Sequence, residues 1–246
     1  MRTCLFCGQK PSTREDAWPK WLMTRFPLPD TARMFAERGG KELPDWPLTK
    51  PMLVVKRLCG SCNNSWMSKL ESTAKPIIES ILDDTLTSID APGQVTLSTW
   101  AIKTAMVLEA FDPGQPWFYS ADERDFMRRS HTFPDGTSVW IAKCVNQPNI
   151  YSAKMIHSTE PGPDGARAVS VTMAFGSLAI QVVTTKANRN NATVGYDVSK
   201  GRWQETLVQI QPASQDSKPW PGKFGLDGDR GLIALTERLD PNSKWS

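Results

Sequence analysis

Apolar positions change their period along the chain, and that change predicts the order of elements. Ile78, Ile81, Leu82, Leu86 and Ile89 recur at helical spacing, with Glu79, Asp83 and Asp84 opposite them. Pro76, just ahead of this stripe, suits a first helical residue, where no amide donor is needed. Trp100, Ile102, Ala105, Met106, Val107, Leu108 and Phe111 surround a second helix over 98–111 almost completely, which predicts a buried one. Ser120 and Glu123 stand at capping-box spacing and predict a short helix to about residue 129. Beyond Thr137 the period falls to two. Residues 139–145 form a continuous apolar run. Val169, Val171, Met173 and Phe175 alternate with Ser170, Thr172 and Ala174, and Gly176-Ser177 suits a tight hairpin into Leu178, Ile180 and Val182. A further strand is expected over 206–210 and a short element over 233–238. The segments 161–165 and 211–231 read as irregular.

Ahead of Pro76 the pattern is different. Residues 26–51 hold five prolines and the Gly39-Gly40 pair, a composition that favours irregular chain over a long helix. Val54 and Val55 lead as a short strand into Lys56-Arg57, and a helix is expected over 61–72, with Trp66 and Leu70 on one face. Asn63 and Asn64 lie near its start, where short polar side chains cap well. The expected class is α+β, with a small N-terminal unit (1–75), then a helical segment and a mainly antiparallel sheet (76–246).

The chain has 246 residues, 39% of them hydrophobic, and a net charge of +3. This charge is uneven: residues 1–75 hold 13 basic and 7 acidic side chains, and the remainder 16 and 19. A modestly basic small unit suits a phosphate-rich partner, although a solvated surface has the same composition. No apolar run reaches the roughly 18 residues of a membrane span and the first residues lack a signal-peptide pattern, so a cytoplasmic protein is expected.

Chemistry enters with the cysteines. Cys4-Leu5-Phe6-Cys7 and Cys59-Gly60-Ser61-Cys62 repeat one spacing, and two intervening residues let both sulfurs of a pair approach one ion. Gly8 and Gly60 offer the turns backbone freedom. In a reducing cytosol such pairs read as ligands of a closed, structural Cys₄ zinc site. The 51 residues from 8 to 58 exceed a plain zinc ribbon and imply an inserted substructure. Cys144, alone in a strand pattern, reads as a small buried hydrophobe.

Around the knuckles stand Thr13-Arg14-Glu15-Asp16-Ala17-Trp18-Pro19-Lys20-Trp21-Leu22 and Cys62-Asn63-Asn64-Ser65-Trp66-Met67-Ser68-Lys69-Leu70-Glu71. With the first knuckle, and with Thr99-Trp100-Ala101-Ile102-Lys103-Thr104-Ala105 further on, these strings resemble the Cys₄ HNH (ββα-metal) endonuclease-like proteins of actinobacteria and their phages. The resemblance covers about residues 1–110. In that family the middle string usually reads Glu-His-x-x-Pro-x-Trp-Leu. It implies a ββα zinc module that grips a catalytic divalent ion (Mg or Mn) and cuts DNA, with a histidine activating water and the metal stabilising phosphate charge. Glu15 matches the family's acidic residue and Asn63 its asparagine, but Asp16 stands where the histidine is usual. His131 and His157 lie far outside the motif.

The candidate catalytic residues are therefore Glu15, Asp16 and Asn63. Asp16 could ligate Mg²⁺ with Glu15, or act as a poor base, an unshifted Asp having a pKa of about 3.9. The pair also suits a solvated turn, and Asn63 a helix cap. Arg14, Lys20, Lys56, Arg57 and Lys69 are candidate phosphate contacts. Trp18, Trp21 and Trp66 could stack on bases or pack a small zinc core. The functional expectation is a weak or degenerate DNA endonuclease. The alternatives are an inactive nucleic-acid-binding module and a phage or mobile-element factor that meets a protein partner through 76–246.

Overall fold

The computed structural model describes residues 3–27, 33–34, 37–38, 41–42, 46–47, 54–111, 117–146, 150–158, 165–188, 190–191 and 202–239. The loop expected over 161–165 lies, but for Gly165, outside these residues, as do the side chains of Glu15, Phe111 and His157.

The chain opens with the first cysteine knuckle, strand β1 (Thr13–Asp16) and the short helix α1 (Lys20–Arg25). Two-residue strands follow where the prolines predict irregular chain. Arg33–Met34 (β2) pairs with Trp46–Pro47 (β5), and Glu37–Arg38 (β3) with Lys41–Glu42 (β4). They supply the substructure implied by the long gap. Strand β6 (Val54–Leu58) returns antiparallel to β1 and runs into the second knuckle.

A continuous helical run begins there: α2 (Gly60–Cys62), a π-helical turn (Asn63–Met67) and α3 (Ser68–Leu82). Pro76 is not a first helical residue but lies inside α3. A proline in a helix interior removes one backbone bond and costs about 3 kcal/mol. Burial of Ala74, Ile78 and Ile81 on one face of the same helix offsets it, and Pro76 itself faces solvent. The division expected at 75/76 therefore falls within a helix. That helix ends at Leu82, earlier than the apolar stripe suggests. Asp84 turns left-handed (φ 58°), and Ile89 is buried from β7 (Ser88–Ile89) instead.

Helix α4 (Ala91–Leu108) starts earlier than expected, because Asp90 caps it by accepting from the Gly93 amide at 2.8 Å. Thirteen of its residues are buried, as its all-round apolar surface predicts. Helix α5 (Ala121–Ser130) carries the anticipated capping box: Ser120 accepts from the Glu123 amide, and Glu123 from that of Ser120.

The sheet comprises β8 (Thr137–Val145), β9 (Ile150–Ser158), β10 (Arg167–Phe175), β11 (Leu178–Lys186) and β12 (Val208–Gln211), in the order β12-β8-β11-β10-β9, all antiparallel. The helical turn α6 (Trp203–Thr206) precedes β12. Lys218–Pro219 (β13) pairs with β7, and Leu226–Asp227 (β14) runs parallel to the end of β8. Helix α7 (Gly228–Glu237) closes the described chain; the short element expected over 233–238 is the second half of this longer helix. The segment expected to be irregular over 211–231 is tied down by Gln94, which is fully buried. It donates to the Asp216 carbonyl at 2.9 Å and accepts from the Ser214 amide at 2.9 Å.

Period-two alternation gives the sheet two unlike faces. Val169, Val171, Met173, Phe175, Leu178, Ile180 and Val182 face α3 and α4 in the main core. The intervening positions are small: Ala142, Ala174 and Ala179 pack with Leu232 and Leu235 of α7 in a second cluster. Gly176 turns β10 into β11 at φ 55°, where a Cβ would lie 2.5 Å from the Phe26 ring, so only glycine fits. The main core is common to both parts of the chain. Phe175 sits edge-on to Trp18 of the N-terminal part (5.9 Å) and to Trp100 of α4 (6.0 Å). Among the described residues no helix is long and apolar enough to cross a membrane.

Phe175→Ala is expected to cost about 3–5 kcal/mol, since it opens a cavity between two tryptophans that the surrounding structure fills only in part. Chemical denaturation of the full chain measures this. Pro76→Ala is expected to raise the denaturation midpoint, by up to about 3 kcal/mol of added stability, because it restores the missing helix bond.

Candidate metal centre

Two backbone ties bring the knuckles together before any ligand chemistry is considered. The Leu5 amide donates to the Arg57 carbonyl of β6 at 2.7 Å, and the Ser12 amide to that of Leu58 at 3.0 Å. Gly8 closes the first knuckle in a left-handed conformation (φ 71°), with its amide donating to the Cys4 carbonyl at 3.1 Å. Gly60 needs no such freedom: it is the first residue of α2, and its amide is held by the Ser12 hydroxyl at 2.9 Å. The cap of that helix is not Asn63. Cys59 occupies the cap position, and its sulfur accepts from the Cys62 amide at 3.5 Å. Asn63 lies within the helical run, half-buried, with its amide donating to the Cys59 carbonyl.

The result is a cluster in which the sulfurs of Cys4, Cys7, Cys59 and Cys62 all lie within 4.8 Å of one another. Cys7 and Cys59 Sγ are 3.5 Å apart. Cys4, Cys59 and Cys62 are buried, and Cys7 reaches solvent in part. Burial tends to raise the thiols of Cys7, Cys59 and Cys62. At Cys59 that effect is outweighed by hydrogen bonds from the Ser61 hydroxyl, the Cys62 amide and the neighbouring thiols, which bring its pKa down to about 6. Burial, then the charge of Cys4, pushes Cys62 far up; burial also raises Cys7. Four sulfurs this close resist ionising together unless a cation joins them, and a metal ion reverses that balance. The donor set therefore fits a metal ion. Among the described residues it is the one group of three or more Cys, His, Asp or Glu side chains placed to hold one.

The other candidates are spread along the same ribbon. Thr13 pairs with Leu58 beside the knuckle, whereas Glu15 and Asp16 pair with Val55 and Val54 at the far end. Three residues of strand separate Asp16 from the knuckle end by about 10 Å. Asp16 is half-buried. Arg14, Lys20, Lys56 and Lys69 are exposed. Arg57 is not: its guanidinium stacks over the Trp117 ring at 4.2 Å. The three tryptophans pack. Trp18 is buried against Phe175, Trp21 lies beneath Lys75 (5.5 Å), and Trp66 meets Phe6 edge-on at 5.0 Å. Cys144 is buried under α7, and burial raises its pKa to about 11, as befits an inert core thiol.

Folding also brings up residues that no local motif announces. Arg124, buried in α5, donates from Nε to the carbonyl of Leu5, inside the first knuckle, at 2.9 Å. His131 comes to 5.9 Å from the Trp66 ring. The one sequence signal for Arg124 is its helical spacing from Met127 on the face of α5 that becomes buried; His131 lies just beyond the helix end. No family model, no curated protein and no solved structure matches this chain.

Proposed function

We propose that this chain is an HNH-like DNA-binding protein whose N-terminal ribbon and helix are organised by a structural zinc ion, and whose endonuclease activity is weak. The observation that carries the reading is the four-cysteine cluster at the base of the β1–β6 ribbon, where β6 runs straight into a helix. Thiolates in two Cys-x-x-Cys turns favour zinc. Zn–S bonds of about 2.3 Å in a tetrahedron place sulfurs about 3.8 Å apart, close to the separations found here. Such a shell is closed, so this ion stabilises the fold and takes no substrate.

The exposed Arg14, Lys20, Lys56 and Lys69 supply positive charge for a phosphate backbone. Asp16 stands at the end of β1, where the resembled family carries its water-activating histidine. Asp16 would help to hold the divalent ion (Mg or Mn) of the resembled family, whose charge would stabilise the phosphate. A carboxylate is a poor base near neutral pH, and positioned general bases contribute about 10²–10⁴-fold, so slow cleavage follows. Binding without cutting is the limiting form of the same reading.

Protein purified without chelator is expected to carry one zinc per chain by elemental analysis. Cys59→Ser should lose the metal and unfold the N-terminal part, because binding energy is folding energy at such sites. Thiolate ligands compete with protons, so zinc retention should fall as the pH is lowered from about 8 to about 5, with a chelating dye as readout. DNA binding should weaken with salt, with a log–log slope of about −3 to −4 if the four exposed basic side chains all contact phosphate. Plasmid cleavage should be slow, need Mg or Mn and stop with chelator, and Asp16→His should raise it. Rapid cleavage by the unmodified chain, abolished by Asp16→Ala, would show the carboxylate to be a competent catalytic group. A salt-independent or undetectable interaction with DNA would refute the binding reading.

A further inference from the structure

We propose that helix α5 is a metal-conditional clasp, docked on the first cysteine knuckle through Arg124 and loosened when that knuckle loses its metal. The inference rests on the metal reading above and extends it to the C-terminal part of the chain. Arg124 and Arg128 follow at helical spacing and share one face with Met127, which is fully buried.

Arg124 and, just past the helix, His131 meet the cysteine region. Arg124 is 4% exposed; besides its bond to the Leu5 carbonyl, it donates from Nη1 to the Tyr119 carbonyl at 2.5 Å. Its guanidinium lies over Trp117 at 4.4 Å, the ring that also takes Arg57 from β6. Arg128 is bonded within the helix to Asp125 at 2.8 Å. His131 ends the helix in a left-handed conformation (φ 55°), with its ring against Trp66, which packs on Phe6 between Cys4 and Cys7.

The conditionality follows from what fixes Leu5 and Phe6. They are the two residues between Cys4 and Cys7, held by the Leu5 backbone bond to β6 and by convergence of the sulfurs. Four thiolates around one divalent zinc carry a net charge of about −2, which the Arg124 guanidinium beside the knuckle complements. Without the ion only the backbone tie of Leu5 to β6 holds the knuckle, and the Leu5 carbonyl is placed less firmly for Arg124. The guanidinium then keeps the Tyr119 carbonyl and the Glu109 carboxylate (3.9 Å) but loses part of its hold on the knuckle, and α5 opens more readily.

The segment ahead of α5 stays anchored by bonds of its own. Glu109 accepts from the Phe118 and Tyr119 amides at 2.6 and 3.3 Å, and the Tyr119 hydroxyl bonds Thr184 at 2.8 Å. The pivot is therefore Ser120, at the start of the helix. The Lys186–Glu123 pair (2.6 Å), about three-quarters buried, ties its first turn to the sheet, and Arg124 is paired with Glu109 at 3.9 Å, so opening of the helix works against these two ties. By linkage, docking of α5 must tighten the metal as much as the metal tightens docking.

Hydrogen exchange on the full chain tests this, with zinc bound and after removal by chelator, and metal content measured in parallel. Amides of 121–131 are expected to exchange at least tenfold faster without metal, while those of 118–119 and of β10 and β11 keep their protection. Unchanged exchange over 121–131 in metal-free protein overturns the proposal. Protein that neither carries nor takes up zinc overturns it together with the metal reading, and the metal measurement tells the two failures apart. Arg124→Gln, which keeps the size and removes the charge, is expected to weaken zinc about tenfold in chelator competition, as loss of groups that orient metal ligands typically does. A variant that folds and holds zinc as tightly as the parent overturns the coupling. The exchange comparison on the unmodified chain stands even if the variant does not fold.

Discussion

Convergence of four sulfurs from two turns, 51 residues apart, is the constraint on which the N-terminal part depends. Closing so long a loop carries an entropic cost that grows only slowly with length, so the insert of short paired strands is tolerated as long as the ends are held. Backbone bonds from Leu5 and Ser12 to β6 hold them partly. The sulfurs do the rest: buried and mutually repulsive as thiolates, they become favourable only around a cation. The same strand that closes this loop also starts the helix, so one cluster fixes the register of β1 on β6 and the direction in which the chain enters α3.

From there the structure is continuous. Helix α3 passes from the knuckle into the packing of α4 against the sheet, and Phe175 links Trp18 to Trp100 across the two parts. A metal site of this kind is commonly the substitute for a core in a small unit. Here the unit shares a core with a larger one, through Trp18 and Leu22 on one side and Arg124 on the other. A change at the four-cysteine cluster should therefore be felt beyond its own residues.

The sheet places the rest of the chain around that arrangement. Its large-residue face receives α3 and α4, and its small-residue face lets α7 approach. The division of labour is the ordinary consequence of period-two alternation, with bulky side chains filling the thick layer and alanines the thin one. The Arg57–Trp117–Arg124 stack at the join of knuckle and sheet takes Arg57 out of the exposed basic set and leaves Arg14, Lys20, Lys56 and Lys69 on the outer surface.

Local chemistry was enough for much of this. The repeated Cys-x-x-Cys spacing specified the ligand set, because two thiolates on one tight turn can reach one ion whatever surrounds them. Alternation specified the β10–β11 hairpin, and Ser120 with Glu123 specified the start of α5, each being a contact between near neighbours in sequence. What sequence could not fix depended on distant partners. Pro76 reads as a helix start, yet burial of Ala74, Ile78 and Ile81 against α4 and the sheet keeps the helix going through it. Asn63 reads as a cap until the Cys59 sulfur takes that place. Strand β9 was missed because, at the sheet edge, Ser152 and Lys154 occupy positions that an interior strand would give to apolar residues. Arg124 and His131, more than a hundred and more than sixty residues from Leu5 and Trp66 respectively, meet them only because tertiary packing lays α5 across the knuckle. A guanidinium on a short amphipathic helix looks like any surface charge until the fold removes its water and gives it a carbonyl instead.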